Sequence, residues 1–179
     1  IAGRTRFGES LIHTSWLMYE FTAMQTLFEA GADVPEPYAA EANAVLMAYL
    51  GDERSAAPTL NTVSLDRAEA QMLFERTLHN IELMLGLGLV HGDLSAYNIL
   101  YWQGVPWIID LPQVTLIEGN RRAHAILERD IERLCDYFRR QGVTCEAGAI
   151  CDDLWYRYGQ DRVWAASDLD LDLSLRARD

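Results

Sequence analysis

Leu17, Phe21, Met24 and Phe28 recur three or four residues apart and draw one apolar stripe along a helix. Thr14 or Ser15 can cap its start and Gly31 can end it, while the polar, aperiodic IAGRTRFGES before it reads as a loop. Pro35 and Pro37 then break the helix and hold the chain extended. The unbroken apolar run from Ala44 to Tyr49 is expected to be a buried strand, closed by a Gly-Asp turn. After the polar connector SAAPTLNTVS, a long helix starts near Asp66, with Glu69 three residues on to complete a capping box. Phe74, Leu78, Ile81 and Leu85 line its apolar face, and Gly86 and Gly88 end it. YNILYW and VPWIID are two apolar runs joined by Gln103-Gly104, which is a hairpin signal. LPQVTLIEGN connects to a further helix, Arg122 to Gln141, with Leu127, Ile131, Leu134 and Phe138 on its buried face and Gly142 as its stop. A short helix from Ala149 to Tyr158 carries Trp155 and Tyr158, and the tail SDLDLDLSLRARD reads as an acidic frayed end. The mixture is α+β, without internal repeats.

Composition narrows this picture. The 179 residues, half of them apolar, suffice for one domain with a real core. No apolar run of about 18 residues exists to span a membrane, and the start has no signal-peptide pattern. Cys135, Cys145 and Cys151 form no C-x-x-C pair, which argues for reduced thiols in the cytoplasm and against zinc or a disulfide frame. A net charge of -12 argues against broad nucleic-acid binding, though not against a local basic patch. All the basic residues are Arg; the chain has no Lys. The first residue is Ile1, so the sequence is expected to be a fragment.

The chemistry concentrates in LVHGDLSAYNIL, Leu89 to Leu100. It holds His91, Asp93 and, five residues after the Asp, Asn98. The strand VPWIID then delivers Asp110. Phosphoryl transfer from ATP needs such a set: one Asp beside the attacking hydroxyl, and an Asn and a second Asp to hold the metal ions that neutralise the phosphates. The general kinase signature runs H-R-D-L-x-x-x-N and then D-F-G; here the two parts read HGDLSAYN and IDLPQ. A polar turn between core strands would also favour Asp and Asn, but the hairpin brings Asn98 at its entrance and Asp110 at its exit to one edge. His91 is expected to be structural.

Together these residues resemble the RIO family of atypical protein kinases, from about Arg4 to about Arg140. FGESLIHTSWLMYEFTAMQTLFEAGADVPEP looks like the family's Trp-x-x-x-Glu-Phe helix and Ala-Gly-x-x-Val-Pro-x-Pro turn. VLMAYLGD and AAPTL look like its hinge and the segment after it, and AHAILERDIERL like the helix after its metal loop. Leu-Pro-Gln after Asp110 is more telling than HGD, because other kinases have Phe-Gly there. About eleven residues separate Asp110 from the next helix, too few for an activation segment ending in A-P-E, and Gly92 replaces the Arg that would sense a phosphorylated one. Ala48 departs from the family, which usually has Glu in the hinge. The Gly-rich loop and the Lys strand that should precede the Glu20 helix are not in this sequence, which the resemblance attributes to truncation.

The resemblance implies a protein-kinase-like fold. Residues 1–50 would be the remainder of the N-terminal lobe and 51–179 the helical C-terminal lobe of a single RIO-type domain. It implies ATP with Mg²⁺ or Mn²⁺ as cofactors and protein Ser or Thr as acceptor. Asp93 would orient the hydroxyl; Asn98 and Asp110 would ligate metal; Glu20 would pair with a Lys from outside this sequence. Met47, Ala48, Tyr49, Leu50, Leu100 and Ile109 would surround the nucleotide. Two other readings use the same motif. Small-molecule phosphotransferases of the aminoglycoside or choline kinase type also carry H-G-D-x-x-x-x-N, but Gln113 after Pro112 speaks against them. An ATP-dependent switch or pseudokinase scaffold would bind a ribosome-associated partner, by resemblance only.

One further residue stands out by helical phase. Asp130 falls about 60° from the centre of the face drawn by 127, 131, 134 and 138, at 100° per residue. Arg129 and Glu132 point well away. A carboxylate that leans into the core needs donors, and the nearest are the N–H groups of the His91–Asp93 turn. Asp130 is therefore expected to anchor that loop, the alternative being a partly solvated Asp paired with Arg133 or Arg129.

Overall fold

The computed structural model describes residues 6–41 and 44–160, with side chains from Leu17 onward. The tail 167–179, expected to be an acidic frayed end, lies outside them. The elements are α1 (Arg6–Glu29), β1 (Pro37–Glu41), β2 (Ala44–Met47), a 3₁₀ turn (Leu60–Thr62), α2 (Arg67–Gly86), β3 (Leu89–Val90), β4 (Ile99–Trp102), β5 (Val105–Ile108), β6 (Thr115–Leu116), α3 (Ala123–Arg140) and α4 (Ala147–Tyr158). The strands form three antiparallel pairs, β1–β2, β3–β6 and β4–β5.

α1 differs from its sequence reading at both ends of the argument. It starts at Arg6, so Thr14 and Ser15 lie inside it instead of capping it, and part of the expected loop is helical. No proline interrupts that stretch, and a lone glycine costs a helix only about 1 kcal/mol. Its buried face is Ala23, Met24 and Leu27, while Phe28 is 40% exposed. Gly31, at φ 83°, ends the helix as expected: its N–H bonds to the Phe28 carbonyl and that of Ala32 to the Leu27 carbonyl, each at 3.0 Å.

The expected buried strand is a half-exposed one. β2 pairs only with β1, and Leu46 and Tyr49 are 61% and 66% exposed. α1 packs against the ribbon and Met47 against the core, but among the described residues Leu46 and Tyr49 are left mostly uncovered.

α2 behaves as read at its cap: the Asp66 carboxylate accepts from the N–H groups of Ala68 and Glu69 at 2.9 and 3.0 Å. Glu69 does not close the box; it accepts from the Tyr101 hydroxyl and ties α2 to β4. Phe74, Ile81 and Leu85 are buried and Leu78 half-buried. The α2 face also holds Asn80, 1% exposed, which binds the Asp33 N–H at 2.7 Å and the Asp33 carboxylate at 2.8 Å. Arg76 grips the same carboxylate with two bonds of 2.7 Å, so the segment after α1 is fastened to α2.

The hairpin forms around a turn with Gln103 at φ 52° and Gly104 at φ 76°, the left-handed pair that matches strand twist. Behind it, Leu94, Ile99, Ile108, Leu111, Ile131, Leu134 and Phe138 are at most 1% exposed. Each such burial is worth about 1.5–3 kcal/mol. α3 runs Ala123–Arg140, with all four expected core residues buried. α4 begins two residues earlier than read and packs on α3 and α2, where Arg157 bridges Glu82 and Asp153 at 2.8 and 2.7 Å. The three cysteines are free and buried. Burial pushes the Cys135 and Cys151 thiols up to about 12 and about 11, so neither is a nucleophile.

Candidate active site

β3 delivers the loop His91–Asn98 into the core side of the molecule, and β6 closes over it by pairing with β3. That second strand was hidden in the connecting sequence, since a two-residue pairing leaves no periodicity. His91 is 2% exposed. Its Nδ1 accepts from the Asp93 N–H at 3.3 Å, which leaves Nε2 to donate to the Ile109 carbonyl at 3.1 Å. Burial lowers its pKa, against the pull of that bond and of the Asp130, Asp110 and Asp93 charges. It is a neutral structural imidazole.

Gly92 has φ 87°, and a Cβ there would lie 2.3 Å from the Gln113 carbonyl oxygen. The close approach of the backbone at position 113 thus requires the Gly of HGD, a reason for glycine independent of any lost phosphate sensor. α3 grips the same loop from behind. Asp130, 1% exposed, accepts from the Gly92 N–H at 2.9 Å and from the Leu94 N–H. This is the anchor expected from helical phase. Burial pushes the Asp130 carboxyl up; the Leu94 N–H, His91, Arg129 and the Gly92 N–H pull it back. Arg129 was expected to point away, yet it curls round to donate to the Gly92 carbonyl and reaches Asp130 at 3.3 Å. Arg133, one turn on, holds Asp93 Oδ1 at 2.6 Å. That pair joins residues 40 apart, and no local pattern announces it.

The Asn98 amide nitrogen donates to the Asp93 carbonyl at 2.9 Å and approaches Asp93 Oδ2 at 3.4 Å. This orientation leaves Asn98 Oδ1 uncommitted. The Ile109 N–H donates to the Asn98 carbonyl at 3.0 Å, which sets Asp110 beside Asn98 as the hairpin reading expected. Asp110 has φ 65°, a left-handed conformation uncommon outside glycine that Asp tolerates better than most residues. Such strained backbone clusters at functional positions.

Asn98 and Asp110 open into a cleft of about 580 Å³. Glu20, Met47, Ala48, Tyr49, Leu50, Leu100 and Ile109 line it, so every residue expected around a nucleotide meets here. Pro35 and Ala56 join them unforeseen. Pro35 belongs to the V-P-x-P turn; Ala56 arrives because the chain doubles back at Gly51, with the Ala57 N–H on the Leu50 carbonyl at 2.9 Å. Burial pushes the Glu20 carboxyl above its ordinary range, and the nearby Asp110 charge adds to this. Asp93 faces a second hollow on the other side of its loop.

A short β-hairpin that presents Asn and Asp to one cleft, behind a His-Gly-Asp loop anchored by a buried helix Asp, defines a protein-kinase-like α+β fold. A family model for the RIO domain matches residues 2–149, and the chain belongs to that family. It is 37% identical over 163 residues to "Serine/threonine-protein kinase RIO1" of Chaetomium thermophilum, covering 86% of this chain and 30% of that protein. It is 29% identical to "RIO-type serine/threonine-protein kinase Rio1" of Haloferax volcanii, covering 82% of this chain and 50% of that one. With the protein of the same name from Thermoplasma acidophilum it shares 28% identity over 84% of this chain and 80% of the other. The chain therefore spans half or less of the first two relatives. No helix among the described residues is long and apolar enough to cross a membrane.

Proposed function

We propose that this chain is the acceptor-side and metal-binding part of a RIO-type serine/threonine kinase, with residues 1–50 completing the nucleotide lobe and 51–179 forming the helical lobe. The observation that carries the reading is the convergence of Asn98, Asp110, Glu20 and the 47–50 segment on one cleft. The donors are hard oxygens, which suit Mg²⁺ or Mn²⁺, and the fixed Asn98 amide offers its carbonyl, not its nitrogen. A metal held by Asn98 and Asp110 would neutralise the ATP phosphates. Adenine would lie against Met47, Leu100 and Ile109. The Ala48 N–H already bonds to Glu36 at 2.8 Å and the Leu50 carbonyl to Ala57. Contacts from the hinge therefore fall to Tyr49 and to the other backbone groups of Ala48 and Leu50. Asp93 orients the acceptor hydroxyl, with Oδ1 held by Arg133. Glu20 has its carboxyl shifted up with no cation beside it among the described residues, which fits a side chain whose Lys partner comes from outside this Lys-free sequence. Cytoplasmic location and a ribosome-associated partner remain parts of this proposal, drawn from the family.

The test uses the chain joined to a segment carrying the Gly-rich loop and Lys. Asp110→Asn removes most Mg²⁺-ATP affinity in calorimetric titration, because an amide is a much weaker ligand for a hard cation. Asp93→Ala leaves that affinity nearly intact and slows transfer to a protein Ser or Thr by about two to four orders of magnitude. Unchanged nucleotide affinity in the first variant, or joint loss of binding and turnover in the second, sinks the assignment. ATP hydrolysis without any phosphoprotein would favour the switch reading instead.

A further inference from the structure

The hollow in front of Asp93 has a volume of about 620 Å³, and α3 forms one wall of it. Most of its polar groups are already matched. Arg133 is paired with Asp93, Asp136 with Arg139 at 2.7 Å, and the Tyr137 hydroxyl donates to the Val63 carbonyl at 3.2 Å. Of the groups left over, two bear on a peptide. Arg140 lines the hollow, exposed, and no ion pair or hydrogen bond engages it among the described residues. Asn61 also lines it, and its Oδ1 is buried without a hydrogen-bond partner.

A spare guanidinium calls for an anion, and a spare amide oxygen calls for an N–H. A polypeptide with an acidic side chain supplies both. The spacing says where the acid lies. Arg133 marks the Asp93 end, and Arg140 is seven residues along the same face of α3, about 10 Å at 1.5 Å per residue. An extended peptide advances about 3.3 Å per residue, so about 10 Å is three residues. In a chain of net charge -12, an unpaired Arg beside the acceptor position is also a local exception to a surface that repels acidic segments.

We propose that this hollow binds the acceptor segment, and that Arg140 selects an acidic side chain three residues from the Ser or Thr presented to Asp93. The proposal rests on the reading of Asp93 as the acceptor-side residue; Arg140 determines specificity and takes no part in the transfer.

The test needs no nucleotide. The ¹⁵N-labelled 179-residue chain is titrated with short Ala-rich peptides that carry one Ser and one Glu, the Glu placed at each of one to five residues to either side. Backbone amide and Arg Nε–Hε resonances report binding and its place. The expected result is a preference of about two- to fivefold, the scale of an exposed ion pair, for Glu three residues from the Ser over the same peptide with Gln. The shifts fall on 133–140 and on Asn61. Arg140→Gln loses the preference and Arg140→Glu turns it toward Lys; both changes are on the surface and leave the fold intact. Binding blind to Glu position, shifts elsewhere, no binding by any peptide, or an unchanged preference in Arg140→Glu each overturn the proposal. So does an oligouridylate that moves the same resonances as strongly as the best peptide. Peptide binding that holds in a protein unable to transfer phosphate would leave the subsite standing and remove the kinase reading alone.

Discussion

Gly92 is bonded through both of its peptide groups, by Asp130 and by Arg129, and its neighbour Asp93 is held by Arg133. Leu46 in β2 has one neighbouring strand and is 61% exposed. Both segments border the candidate active site, yet only the first is clamped by the core. The loop has no freedom to choose another conformation without stranding buried polar groups. The ribbon β1–β2 is a two-stranded sheet, marginal on its own, tied at its base by the Ala48–Glu36 bond. The His-Gly-Asp loop takes its geometry from the buried packing, whereas the β1–β2 ribbon keeps an exposed face, the kind of segment that opens locally at low cost.

The clamp breaks most completely at Asp130. Asp130→Leu leaves the Gly92 and Leu94 N–H groups buried without an acceptor and frees Arg129, each stranded donor costing about 1–3 kcal/mol. The expected loss is about 3–5 kcal/mol in urea unfolding. Asp130→Asn keeps an acceptor oxygen, and burial already favours the uncharged carboxyl, so about 1 kcal/mol is expected. Equal losses in the two variants would show that charge, not the hydrogen bonds, holds the loop. Gly92→Ala comes next, at about 2–3 kcal/mol, from a left-handed φ of 87° and a Cβ forced onto the Gln113 carbonyl. A neutral outcome there would mean that the segment after Asp110 yields freely, and the loop is less constrained than the comparison holds.

What the sequence made legible divides along the same line. The hairpin, the Asp66 cap, the buried face of α3 and the Asp130 anchor were readable because each follows from a local period or a local turn. That Asn98 and Asp110 would lie together followed from the hairpin, and that Glu20 and 47–50 would join them was implied by the resemblance; all of them line one cleft. The start of α1 was not readable, because the polar stretch before Leu11 has no apolar period to carry the helix back to Arg6. Phe28 was assigned to the core and Leu27 takes its place, since helical phase alone does not say which neighbour covers a stripe. The apolar run at Ala44–Tyr49 suggested burial, but burial depends on a second layer, which a strand cannot announce. Glu69–Tyr101, Arg133–Asp93 and the Asp33–Arg76–Asn80 cluster join residues far apart in sequence, so only the fold reveals them.

His91 sharpens the comparison through pH. Burial lowers its pKa, so the folded chain keeps it neutral where the unfolded chain, near 6.5, takes up a proton. The unfolded state then binds more protons below about pH 6.5, and stability falls as pH drops from there toward the folded-state pKa. The slope for one proton is at most about 1.4 kcal/mol per pH unit. Asp130 acts in the opposite sense at lower pH, because its raised carboxyl binds a proton more readily when folded. Urea midpoints at pH 7 and pH 5.5 should therefore differ more for the wild-type chain than for His91→Asn, by about 1 kcal/mol. Parallel pH curves for the two proteins would remove His91 from the clamp.

The smallest effect belongs to the ribbon. Leu46 sits opposite Ala39 in the β1–β2 register, on a strand that alternates exposed and half-buried positions. Replacing it with Ser removes apolar surface that is already mostly in water, so little transfer free energy is lost. Ser also has a lower strand preference than Leu, but an exposed strand position with one neighbour feels that weakly. The expected change in the urea midpoint corresponds to about 0.5 kcal/mol or less, the ordinary range for surface substitutions. This is several-fold below the loss expected from Asp130→Leu. A cost above about 1 kcal/mol would mean that the outer face of β2 is covered in solution. The ribbon would then be as firmly set as the loop, and the contrast between a clamped His-Gly-Asp loop and a lightly held ribbon would fail.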